Sequence, residues 1–152
     1  MTPATRRLVH LVRRWWGSLS SAEPSPTDEG WAHANLLEGE WLAFERMSAP
    51  DRRHAIAVAR RFVDLCPESG RDQVAAALLH DVGKTASNLS TAQRVLATLV
   101  GPRTRRFRDY HDHESIGLDV CRRAGSSEQT LSLLEGRGPR HVVEAMHRAD
   151  DI

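Results

Sequence analysis

The chain has 152 residues, with 21 basic against 20 acidic side chains and a net charge of +1 when its eight histidines are neutral. That length suits one domain with a proper core and excludes a second catalytic domain, while the near balance of charge excludes a strong global field that would draw the protein to nucleic acid. No window approaches the roughly 18 apolar residues of a membrane span and no uninterrupted apolar run marks a signal peptide, so the expectation is a cytoplasmic protein with Cys66 and Cys121 as buried, reduced thiols.

From the N-terminus, Leu8, Leu11, Val12, Trp15 and Leu19 recur at helical spacing, with Arg6, His10, Arg13 and Gly17 opposite. Residues 1–22 are therefore expected to hold a basic amphipathic helix. It either folds back on its own domain or pairs in a homo-oligomer, or it makes peripheral contact with a membrane or a partner. Pro24 and Pro26 interrupt any apolar period, so 23–30 reads as a linker ahead of a helical domain over 31–152. Trp31, Leu36, Leu37, Trp41, Leu42 and Phe44 resume a helical pattern, as core or interface aromatics rather than a base-stacking platform.

Ser48-Ala49-Pro50-Asp51 and Ser69-Gly70-Arg71-Asp72 have the form of capping boxes that open helices. Ala92, Val95, Leu96 and Leu99 share a face of a helix expected over 91–100, which Gly101-Pro102 ends. A helix from His113 to Ala124, a short one within 126–135 and a last one entered through Pro139 complete the order. No segment alternates with period two. The expected fold class is all-α, a bundle of about six to eight helices with the amphipathic helix at its N-terminus.

The chemistry concentrates in Leu78-Leu79-His80-Asp81-Val82-Gly83-Lys84, where an apolar helix ends in a neutral nitrogen ligand, an anionic oxygen ligand and a cation. Adjacent imidazole and carboxylate suit a borderline divalent metal. Lys84 is the only lysine, the other basic residues being arginine. His54 lies one helical turn from Val58 and two from Phe62, which turns it inward. On the last helix Asp150 shares a face with Val143 and Met146, whereas Asp151 falls with Glu144, His147 and Arg148. The chain runs only two residues past Asp150, so fraying would weaken a site there.

In this order the residues resemble the HD-domain family, an all-helical group of metal-dependent phosphohydrolases. The family pattern places a histidine on an early helix, a His-Asp pair on the next long helix, and an aspartate after an alanine on a late helix. These match His54, His80 with Asp81, and Asp150 after Ala149. The HDxGK form from His80 to Lys84 and the HxxxG from His113 to Gly117 resemble its better-known branches, and the likeness covers about residues 48–152.

The resemblance implies an HD-like bundle with a divalent cation (Mn, Fe, Co, Ni, Mg or Zn) held by His54, His80, Asp81 and Asp150. Such a cation activates water beside a phosphoester. Asp81 would also accept a proton, and Lys84 would either steady a phosphate oxygen or bridge to Asp81. His113 matches an added-ligand position for a second metal and equally suits a solvated helix start. A His-His pair common further on in the family is missing, since 131–141 hold only His141. The substrate expected is a phosphate mono- or diester, a nucleotide or related small phosphoester, with Arg103, Arg105, Arg106, Arg108, Arg122 and Arg123 as a local basic cluster. Relatives that cleave deoxynucleoside monophosphates or the stringent-response alarmone tend to be acidic where this chain has Lys84. Two other classes stay open: a catalytically weak HD module that binds a nucleotide or signals, and an adaptor working through the N-terminal helix.

Overall fold

The computed structural model describes residues 21–87 and 113–151. Among them the chain forms α1 (Pro26–Ala34), α2 (Glu38–Glu45), α3 (Ala49–Leu65), α4 (Arg71–Leu79), a 3₁₀ helix (Val82–Ser87), α5 (His113–Arg123), α6 (Glu128–Leu134) and α7 (Arg140–Asp150). No strand occurs among the described residues, so the fold is all-α as expected. The amphipathic pattern of 4–20, the helix expected over 91–100 and the arginines from Arg103 to Arg108 lie outside the described residues. No helix of the described residues is long and apolar enough to cross a membrane.

Helix starts follow local chemistry, twice at a different residue from the one expected. Ser25 accepts a hydrogen bond from the Asp28 amide at 3.1 Å, and Pro26 occupies the first helical position. Proline there has its φ already set and lacks only an amide that would go unpaired. Residues 26–30 are consequently helical rather than linker. Ser48 caps α3 by accepting from the Asp51 amide at 3.3 Å. At α4 the cap is Gly70 and not Ser69, and Gln73 Oε1 accepts from the Gly70 amide at 3.1 Å.

Every residue of α4 from Val74 to Leu79 is buried. A helix apolar all round must lie at the centre, and α4 is packed by α2, α3 and α6. From α3 come Ala55, Ile56, Val58, Ala59 and Phe62, and α7 packs on α3 through Val142, Ala145 and Ala149. The deepest stripe of α7 is thus one residue round from the expected Val143, Met146 and Asp150. Small alanines allow the close helix contact, and the larger side chains turn to an adjoining cleft.

One carboxylate ties the α2 end of the bundle together. Glu40 is fully buried, its Oε2 accepting from the Leu37 amide at 2.8 Å and its Oε1 from the Ser126 hydroxyl at 2.6 Å. Both oxygens are satisfied, which is what makes burial of the group tolerable. Beside it Cys121 is buried and unpaired, its thiol pushed up to about 12, first by burial and then by the Glu40 charge. Cys66 is likewise a buried free thiol.

Where α2 meets the end of α5, a Cβ on Gly39 would collide with the Ala124 carbonyl oxygen. Gly30, in the interior of α1, has open space around its Cβ position. Alanine should therefore act oppositely at the two sites. In urea denaturation, Gly39→Ala lowers stability by about 1–3 kcal/mol, whereas Gly30→Ala raises it by about 0.5–1 kcal/mol. Equal effects of one sign would contradict the close approach.

Candidate metal centre

Three separate elements deliver polar side chains to one point. His54 comes from the first half of α3, and α4 ends at Leu79 so that His80 caps it in the αR region (φ −55°, ψ −29°). Asp81 follows in the turn before the 3₁₀ helix, and Asp150 closes α7. Gly117 of α5 keeps this turn in place: a Cβ there would come within 3.1 Å of the Gly83 amide nitrogen, so only glycine allows α5 to approach without displacing it.

The distances are short. His54 Nε2 lies 3.1 Å from Asp150 Oδ1 and 3.9 Å from Asp81 Oδ2, while His80 Nε2 lies 3.4 Å from Asp81 Oδ2 and 3.6 Å from Asp150 Oδ1. Ligand atoms of His54, His80 and Asp81 all fall within 4.8 Å of one another. The two imidazole centroids are 5.6 Å apart. Asp150 is steadied against fraying by Arg61 of α3, whose Nε donates to the Ala149 carbonyl at 2.7 Å.

His80 is the informative member. Its Nδ1 donates to the Ala77 carbonyl at 2.8 Å, which leaves Nε2 as the ring nitrogen that faces the carboxylates. Nε2 is buried and makes no hydrogen bond. A buried nitrogen that faces two carboxylates and makes a geometric hydrogen bond to neither is an uncommon arrangement. Surrounded by a second imidazole and two carboxylate oxygens, it fits a divalent cation of the kind that accepts mixed nitrogen and oxygen donors.

Electrostatics point the same way. Burial opposes charging of His80, yet the carboxylates of Asp150 and Asp81 outweigh it and raise its pKa. Burial likewise works against ionised Asp81, but His80 and Lys84 hold its pKa below the ordinary value. The Asp150 carboxyl is held well below the ordinary range by His54 and His80. Lys84 Nζ donates to Asp81 Oδ2 across i,i+3, so the expected bridge to Asp81 is present.

The structure brings His54, His80 and Asp81 within mutual ligand distance and sets Asp150 Oδ1 against both imidazoles. His113 opens α5, but its side chain lies outside the described residues. A cleft of about 620 Å³ runs from His80, Asp81 and Asp150 to the α6–α7 turn, and Ser115, Glu135 and His147 add polar groups to its lining. None of these three was singled out from the sequence. His147 falls with Asp151 by helical spacing, but it is also four residues from Val143 and three from Asp150, which puts it on the edge of the cleft stripe.

A family model described as HD domain matches residues 52–151. No curated protein and no solved structure matches the chain.

The pKa directions fix how pH acts on the metal-free protein. Asp81 and Asp150, lowered from 3.8, contribute stability that is present above that value and lost as pH falls through their depressed values. His80, raised from 6.5, contributes fully below 6.5 and loses its contribution as pH rises through its raised value. The difference in urea midpoint between chelator-treated wild type and Asp150→Asn should therefore shrink on going from about pH 5 to about pH 8.5. A difference that grows over this range would show that the His80–Asp150 attraction is absent.

Proposed function

The chain belongs to the HD-domain family, and from that premise we propose that it is a metal-dependent phosphohydrolase that splits a phosphate mono- or diester with an activated water. A nucleotide or related small phosphoester is the substrate class this reading takes. The observation that carries it is the orphan Nε2 of His80, buried among His54, Asp81 and Asp150. His54 and Asp150 are 96 positions apart in the chain, too far for local helix chemistry to pair them.

His54, His80, Asp81 and Asp150 would hold the cation, one among Mn, Fe, Co, Ni, Mg and Zn. When bound, it supplies Lewis acidity toward phosphoryl oxygens and lowers the pKa of water. The protein contributes the rest. The Ala77 carbonyl holds the Nδ1 proton of His80, so the ring needs no rotation to present Nε2, the nitrogen a cation would take in place of a proton. Asp81 stays ionised across the working range, which leaves its carboxylate available to a cation and to a proton from the attacking water. Lys84, anchored on Asp81 Oδ2, both orients that carboxylate and places an ammonium where a phosphate oxygen would gather charge. The cleft beside Asp150 receives the remainder of the ester.

Purified protein should contain a divalent metal and release p-nitrophenol from bis-p-nitrophenyl phosphate in the presence of manganese. Chelation should abolish turnover and metal should restore it. His80→Ala and Asp81→Ala should each reduce kcat by about a thousandfold. Lys84→Gln should retain the metal and lower kcat by about tenfold or more; an unchanged kcat would confine Lys84 to its bridge with Asp81. Stoichiometric metal with no turnover of any phosphoester would instead favour the nucleotide-binding or signalling module.

A further inference from the structure

The cleft that adjoins the cluster has a charged end and walls that are mostly aliphatic, broken by Ser115 and His147. At one end stand His80, Asp81 and Asp150. Its walls are Val58 from α3, Leu118 from α5, Leu133 and Leu134 from α6, and Val143 and Met146 from α7. No lysine or arginine is among the described residues that line it. The charged group at the far end is an anion, Glu135, whose pKa is lowered by Arg137 and Arg122. Both arginines engage Glu135 and are themselves largely exposed to solvent, at 70% and 53% of their side-chain surface.

A volume of this order accommodates a small organic molecule. A second phosphate or a carboxylate in the body of the cleft would lose its hydration against aliphatic carbon and face Glu135, with no lysine or arginine among the described lining residues to compensate. An uncharged apolar group loses nothing on entering and gains by leaving water. Resting on the phosphohydrolase reading above, we propose that the site selects a phosphoester with a single phosphate and an uncharged, largely apolar organic group. Leu134, Val143 and Met146 set that specificity. None of the three is fully buried, and all pack on the core while facing the cleft, so they can touch a ligand without being needed to close the bundle.

The test measures binding and does not depend on turnover. Full-length protein, shown by metal analysis to hold manganese, is titrated calorimetrically with methylphosphonate, benzylphosphonate and 4-(phosphonomethyl)benzoate. Benzylphosphonate should bind about tenfold more tightly than methylphosphonate, or better, because its ring is removed from water. The benzoate analogue, with the same ring and a second negative charge, should lose that advantage. Met146→Asp should abolish the preference. Val143→Thr, which keeps the shape of the side chain, should reduce it by severalfold and covers the case in which the aspartate variant does not fold. Equal affinity for the methyl and benzyl compounds in metal-loaded protein, or tighter binding of the benzoate, would overturn the inference and leave the hydrolase reading intact. Preference for benzylphosphonate in a protein that turns over no phosphoester would uphold the inference and overturn the hydrolase reading. Failure of metal-loaded protein to bind any of the three would overturn both.

Discussion

Asp81 is 5% exposed, and the energetic demand of keeping a carboxylate charged at that depth organises the neighbourhood around it. An isolated buried anion is costly enough to neutralise itself or unfold its surroundings. Here Lys84 binds one oxygen, and His80 and His54 bring nitrogen toward the same atom at 3.4 Å and 3.9 Å. Each compensating group comes from a place the backbone must hold. Lys84 requires the tight 3₁₀ turn, His80 requires α4 to stop at Leu79, and His54 requires α3 to lie against α4.

That requirement explains why so much apolar helix surrounds so small a polar cluster. The buried run from Val74 to Leu79 ends directly at the His-Asp pair, so the packed core sets where the pair stands. Rigid presentation matters for a cation site, since donors that need no rearrangement bind without losing conformational freedom. α7 serves two surfaces at once. Its alanines seal the bundle against α3, and the neighbouring stripe of Val143, Met146 and Asp150 forms one wall of the cleft. A charged end and an apolar wall of the cleft then arise from one helix turned by a single residue.

The depressed carboxylates and the raised His80 describe a set of charges arranged for a further cation. Two carboxylates beside one imidazole nitrogen favour its protonated form.

Local chemistry was readable from the chain itself. Adjacency of His80 and Asp81, the i+3 spacing to Lys84, and the helical periods around His54 and Asp150 are short-range properties, and with the resemblance to the HD pattern they pointed to these residues as a set. The helix content was readable for the same reason, because a 3.6-residue period belongs to each segment alone. Packing between segments decided the rest. Whether Ser69 or Gly70 caps α4, whether α7 buries Val142 or Val143, and how Glu135 and His147 reach the cleft depend on which helices touch and how closely. Such contacts turn on single missing side chains, as where Gly117 meets Gly83 and Gly39 meets Ala124. The 3.1 Å between His54 and Asp150 is of this second kind. No periodicity spans the chain between them, and only the stacking of α7 on α3 brings the two side chains together.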